Sequence, residues 1–192
     1  MDEIGKIVRL QVQRSSLKTG EKPNRVYDPA PILAVDRLAI SPEGVLGQGP
    51  DRSWIVDIHH QAHPATKNKD GRHGVSVGFT AHYSAMGERC GGRISLGCAG
   101  ENIIAETARI FTLEDLRGAL VLLSAAGREL VRLTVLDVAH PCRPFTGWAL
   151  GKTVEADVLK SELQFLDDGM RGFYTVGKGT AVVSIGDRLA LL

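Results

Sequence analysis

Three short segments hold most of the side chains that could do chemistry. The first, His140-Pro141-Cys142-Arg143-Pro144-Phe145, places a thiol between two prolines just after a predicted strand. A thiolate is both a nucleophile and a soft metal ligand. Pro141 fixes the backbone before it, and Arg143 sets next to it a cation that favours the thiolate. The same spacing also suits a buried, inert cysteine at a strand end, a common fate of a free thiol. The second segment is Gly97-Cys98-Ala99-Gly100-Glu101-Asn102-Ile103. Glu101 can accept hydrogen bonds and Asn102 can both donate and accept. Asn102 could equally bond its own backbone in a turn. The third is Asp57-Ile58-His59-His60, followed by His63 and His73. These histidines lack the His-Glu-x-x-His spacing of a helical zinc site, so a dedicated zinc centre is not expected. Arg171 and Arg72 are either anion forks or solvated surface arginines.

Other motifs carry less. Cys90, Cys98 and Cys142 include no Cys-x-x-Cys pair, which argues against a disulfide framework and fits a reducing compartment. Cys98 reads as a packing residue, with a resolving thiol for Cys142 as the sharper alternative. Gly74-Val75-Ser76-Val77-Gly78 has the form of a nucleophile elbow, Gly-x-Ser-x-Gly. No alternating βα pattern surrounds it, so a short strand over 75–79 is expected instead. There is no P-loop and no Gly-x-Gly-x-x-Gly after a strand.

The elements that must position these groups are mostly strands. Val8, Leu10 and Val12 alternate with Arg9, Gln11 and Gln13, the two-residue period of a half-buried strand over 6–14. Strands are also expected over 32–40, 54–58, 119–123 and 130–139, with three more after residue 172 separated by turns at Gly177-Lys178-Gly179 and Gly186-Asp187. Thr80 is placed as the cap of a short helix ending near Gly87. Thr112-Leu113-Glu114-Asp115 has the form of a capping box before one helical turn. Thr153 is placed as the cap of a helix over 154–168, with Leu159, Leu163 and Leu166 on one face and Gly169 at its end. Residues 59–73 read as an irregular surface loop. Many short strands and few helices predict a mainly β protein, a closed β-barrel or a sandwich.

Composition bounds the partners. Of 192 residues, 23 are Lys or Arg and 22 are Asp or Glu, a net charge of +1, so nucleic acid is not the expected partner. No apolar run reaches the ~18 residues of a membrane span, and the first residues lack a signal-peptide pattern. A cytoplasmic location and one domain over 1–192 are the expectations.

Taken in order, the Gly-Glu-Asn-Ile segment at 100–103, the Pro-Cys pair at 141–142, Arg171-Gly172, Gly186-Asp187 and the upstream Asp57-x-His59 element resemble the MOSC family, named for the C-terminal domain of molybdenum cofactor sulfurase. The resemblance spans nearly the whole chain. It implies a closed MOSC-type β-barrel with a few short helices and a role around the molybdenum cofactor, or molybdopterin. Cys142 would be the catalytic residue and the molybdenum ligand. Glu101, Asn102, Arg171, His59, Asp57 and Arg143 would hold the cofactor, with Glu101 and Asn102 suited to the pterin edge and Arg171 to its phosphate. One implied role is reduction of N-hydroxylated substrates with electrons from a separate redox partner. The alternative is a sulfur carrier, in which Cys142 receives a persulfide from a pyridoxal-phosphate cysteine desulfurase. The chain shows no pyridoxal-phosphate site of its own. A third reading is a module that binds the pterin without turnover.

Overall fold

The computed structural model describes residues 1–151 and 155–192. The chain opens with the long strand β1 (Asp2–Gln13), a small hairpin of β2 (Lys18–Thr19) and β3 (Val26–Tyr27), and β4 (Ile32–Val35). A second hairpin pair follows as β5 (Arg37–Ser41), β6 (Gly44–Gln48) and β7 (Trp54–Val56). After a series of turns come β8 (Val75–Phe79), α1 (Thr80–Cys90), β9 (Ile103–Glu106), β10 (Ala119–Leu123) and β11 (Glu129–Val138). Two helices, α2 (Arg143–Leu150) and α3 (Ala156–Leu166), precede the final strands β12 (Phe173–Gly177), β13 (Ala181–Ser184) and β14 (Arg188–Leu191).

The main sheet runs β14-β10-β11-β12-β8-β9-β1, and pairing of β14 with β1 closes it into a barrel. Closure removes the open edges that a flat sheet of this size would expose. The β8–β9 pair is parallel, with α1 lying between the two strands in sequence, and the other barrel pairs are antiparallel. The barrel interior is filled by fully buried side chains such as Ile7, Leu10, Val77, Ile103, Leu120, Leu133 and Phe173. A second apolar layer, with Tyr27, Tyr83, Met86, Ile104, Phe145 and Leu166, seats the helices against the outside of the barrel. Here α1 is pinned by a buried histidine. His82 donates from Nδ1 to the Gly169 carbonyl and accepts the Phe111 N–H on Nε2, each at 3.0 Å. Burial pushes its pKa down to about 4, so it is held neutral. No helix among the described residues is long and apolar enough to cross a membrane.

The mainly β architecture and the closed barrel match the expectation from the sequence. Details differ for physical reasons. The alternation in β1 changes phase: Ile7, Leu10 and Val12 enter the barrel core, and Val8 packs on the outer layer. A register shift against β9 between Ile7 and Arg9 inserts the extra residue responsible. The single strand expected over 32–40 breaks at Asp36, where the chain leaves β1 and joins the second sheet, β13-β5-β6-β7. Helix α1 continues through Gly87 to Cys90, and Thr80 bonds the Thr107 backbone rather than capping the helix. The Thr112–Asp115 box forms with reciprocal bonds. The Thr153 cap lies outside the described residues. The elbow motif is excluded: Ser76 lies inside β8 and its hydroxyl is bonded to Asn102. Helix α2 has no counterpart in the sequence reading, although Pro144 near its start and the left-handed Gly151 at its end are its local signals.

Candidate functional site

One end of the barrel carries a polar cavity of about 120 Å³. It opens where the last residue of β1, the start of β12 and the loops before β9 and after β7 and β11 come together, with Gln13, His59, Glu101, His140, Arg171 and Tyr174 among its walls.

Asp57 is the node that assembles one wall. It is fully buried, and its carboxylate accepts four hydrogen bonds. Oδ2 accepts from the Gln13 N–H at 2.7 Å and the Asn102 side-chain amide at 3.1 Å. Oδ1 accepts from the His59 N–H at 2.8 Å and faces His59 Nδ1 at 3.2 Å. The Nδ1 proton therefore belongs on the Asp57 side, which leaves Nε2 as the free lone pair of a cavity-lining imidazole. Asn102 is equally committed. Its oxygen accepts from the Ser76 N–H and hydroxyl, both at 3.0 Å, and its amide donates to Asp57 and to the Gln11 carbonyl at 3.2 Å. Asn102 thus staples β1, β8 and the Asp57 turn together beneath the cavity, and the cavity itself is lined by Glu101.

Glu101 sits in a slot made by two glycines. A Cβ at Gly78 would lie 2.6 Å from Glu101 Oε1, and one at Gly172, where φ is +89°, would lie 2.7 Å from its Cγ. Tyr83 donates to Oε2 at 2.5 Å, whereas the buried Oε1 has no partner. Burial pushes the Glu101 pKa up to about 7, outweighing the Tyr83 bond and the Arg171 charge that lower it. Such a group stabilises the fold less as pH rises. Below about pH 4.5 it is protonated in both folded and unfolded chains; between 4.5 and 7 only the unfolded chain ionises readily. We expect Glu101→Gln to gain about 3 kcal/mol of stability relative to wild type between pH 4 and pH 8, read from urea unfolding at each pH. A pH-independent difference would show that Glu101 is not held protonated.

Arg171 is buried against Phe145, with its guanidinium carbon 4.2 Å from the ring centroid. Its fork donates to the His140 carbonyl at 3.0 Å and the Ala99 carbonyl at 3.3 Å, tying the Cys142 segment to the Glu101 segment. Its buried Nε has no partner. Cys142 occupies the N-cap position of α2, and its carbonyl accepts both the N–H and the hydroxyl of Thr146, at 3.0 and 3.1 Å. It is half-buried and lies two residues beyond His140, which lines the cavity. Lys67 is held below the ordinary lysine value by partial desolvation first, then by the charges of Lys18 and Arg25.

The chain matches no family model and no curated protein at a significant level. Solved structures do match over nearly its full length. The YuaD protein of Bacillus subtilis superposes with a TM-score of 0.59 at 15% identity, covering 96% of this chain and 93% of that one. YiiM of Geobacillus stearothermophilus gives 0.54 at 18% identity over 97% and 74%. YiiM of Escherichia coli gives 0.53 at 13% identity over 97% and 69%. YuaD and YiiM are MOSC-domain proteins, and likeness at this level of identity shows the fold. The chain has the MOSC fold.

On that MOSC barrel, the residues singled out from sequence fall into three groups. Glu101, His59 and Arg171 line the cavity; Cys142 is not among its walls and stands two residues beyond His140, which is. Asp57 and Asn102 lie behind the wall and hold it together. Arg143 is exposed and lines a different cavity, beside Arg93 and Trp148. Arg72 is exposed, and its N–H bonds Asp70. The thiol of Cys98 is buried and pushed up to about 11 by that burial, which fits packing rather than exchange. The loop over 59–73 is more anchored than its composition implied, since His59, His60 and Asn68 are all buried. Sequence reasoning missed Lys18, Tyr27, Lys67, Tyr83 and Tyr174. Only the glycines facing Glu101 hinted that a side chain had to be accommodated there.

Proposed function

We propose that the cavity holds the anionic end of a molybdopterin-type cofactor, with Cys142 sulfur as the protein ligand to its metal, and that the protein reduces N-hydroxylated compounds. The observation that carries this reading is a half-buried thiol at the N-cap of α2, two residues beyond the cavity-lining His140, near a cavity where Lys18, Lys67 and Arg171 gather. The donor set fits such a group. A metal that brings its own organic sulfur ligands needs only one soft side chain from the protein, and Cys142 is that residue. The cofactor phosphate needs cations, and Arg171 offers a buried Nε without a partner.

When bound, molybdenum supplies the two-electron chemistry that breaks an N–O bond. The balance is R–NH–OH plus two electrons and two protons giving R–NH2 and water, with the electrons delivered by a separate redox protein. The chain's own residues handle charge and protons. Asp57 orients His59 so that Nε2 can hold and release a proton inside the cavity. Glu101, poised near neutrality, adjusts the negative charge that the cavity carries when an anion enters.

The first measurement is molybdenum and pterin content of protein purified from a host that loads a control molybdoenzyme. Near-equimolar metal and pterin is the expected result. His59→Gln should keep both and lower N-hydroxylamine reduction roughly a hundredfold, the scale of a lost general acid. Absence of molybdenum and pterin would sink the cofactor-holding reading. The second reading, a sulfur carrier, is favoured by the partial exposure of the same thiol. It predicts a gain of one sulfur atom on Cys142 after incubation with cysteine and a cysteine desulfurase.

A further inference from the structure

A second cavity lies on the other side of Tyr27, and its volume, about 360 Å³, is larger than that of the first. Three arginines from separate parts of the chain meet there: Arg25 before β3, Arg93 after α1 and Arg143 at the start of α2. The arginine–carboxylate pairs among the described residues use Arg89, Arg109, Arg117, Arg132 and Arg188, and none uses these three. The intervening residues 152–154 contain no acid. In a chain whose net charge is only +1, three uncompensated guanidinium groups around one hollow are a marked concentration of charge. The hollow is also aromatic. The half-buried Trp148 lines it, backed by Tyr27 at 5.4 Å and Phe145 at 6.0 Å between ring centroids. Arg93 reaches the Trp148 carbonyl at 3.5 Å, so this cation and the indole share one edge of the hollow.

Guanidinium forks match phosphate oxygens, and an indole offers a stacking surface for a planar base. We propose that this cavity is a nucleotide site, with the phosphate held by Arg25, Arg93 and Arg143 and the base against Trp148. The volume lies within the range of small-ligand pockets. Tyr27 lines both cavities, and the Arg25 charge acts on Lys67 in the first, so the two sites are contiguous in space and in field. The nucleotide has two chemical sources: a free nucleoside phosphate, or a nucleotide joined to the pterin held next door. The site stands on its own residues, and only the second source depends on the cofactor proposed above.

The test uses cofactor-free protein and tryptophan fluorescence. The chain has two tryptophans, and Trp54→Phe on edge strand β7 leaves Trp148 as the reporter. Titration with GMP is expected to give saturable quenching that weakens with added salt. Guanosine, lacking the phosphate, should bind at least tenfold more weakly, and inorganic phosphate should compete with GMP. Arg93→Gln and Arg143→Gln, both exposed and outside the cores, should each weaken GMP roughly ten- to a hundredfold. Linear, non-saturating quenching overturns the proposal, as does unchanged GMP affinity in the Arg93→Gln/Arg143→Gln double variant. For the source, acid hydrolysis of protein from a host making nucleotide-extended pterin counts nucleotide against molybdenum. A one-to-one ratio assigns the tethered nucleotide, and bound nucleotide without molybdenum assigns the free one. With all three arginines in place, absence of saturable GMP binding in a protein that does retain molybdenum refutes this site alone, and saturable GMP binding in a protein that retains no molybdenum refutes only the cofactor reading.

Discussion

Cys142→Ala is expected to abolish retained molybdenum and to lower N-hydroxylamine reduction by more than about a hundredfold, because losing even a supporting contact to a metal costs 10–100-fold. The folded chain should barely notice. Cys142 is half-buried, its helix contacts run through its carbonyl to Thr146, and an alanine keeps that carbonyl in place. Removing one sulfur from a half-buried position costs about 1 kcal/mol or less, so the melting temperature should move by only a few degrees. Cys142→Ser sharpens the result. It keeps the shape but offers a hard oxygen in place of a soft thiolate, and is expected to fail at metal retention nearly as completely. Metal analysis beside thermal melts reads both properties on one preparation. Full molybdenum and pterin content in Cys142→Ala would rule out ligation by this sulfur and favour a module that binds the pterin without turnover.

Asp57→Ala should have the largest effect on stability, a loss of about 3–5 kcal/mol, the scale for removing one partner from a buried charged network. Four donors lose their acceptor at once: the N–H groups of Gln13 and His59, His59 Nδ1 and the Asn102 amide. No water can easily replace them, since Asp57 has no exposed surface. Asp57→Asn keeps the shape and one acceptor oxygen, and is expected to cost less than the alanine change. His59→Gln, at the cavity end of the network, should cost less again, because Asp57 then keeps its other bonds. Urea unfolding with an unchanged denaturant slope checks this order. Equal losses for all three variants would mean that the node is a local packing effect rather than a shared acceptor. Asp57 is therefore a positioning residue. Its loss should release the His59 tautomer and alter the pH profile of any activity, a change that mere loosening of the fold would not produce.

The strand pattern was legible because alternation is local. Val75–Phe79 and Ala119–Leu123 appear with the bounds expected from their residues, and the closing run of strand, turn, strand, turn, strand is present. The Thr112–Asp115 box was legible for the same reason, since its bonds span three residues. The phase change in β1 was not, because it is imposed by register against β9, a strand more than ninety residues away in sequence. Helix α2 was missed because eight residues are too few to show a clear period.

The same division runs through the site. Residue types alone marked Cys142, Glu101, His59 and Arg171 as able to do chemistry, because a thiol, a carboxyl, an imidazole and a guanidinium carry that capacity wherever they stand. Their assignments depended on partners far along the chain. Asn102 became a staple because Ser76, Gln11 and Asp57 surround it, and Arg171 became a clamp because two carbonyls lie within its fork. Arg143, adjacent to Cys142 in sequence, lines the Trp148 cavity instead of the one walled by Glu101, His59 and Arg171. Local sequence sets which face of an element a side chain occupies. Only closure of the barrel decides what stands opposite that face, since long-range packing brings together groups whose separation along the chain carries no record of their contact.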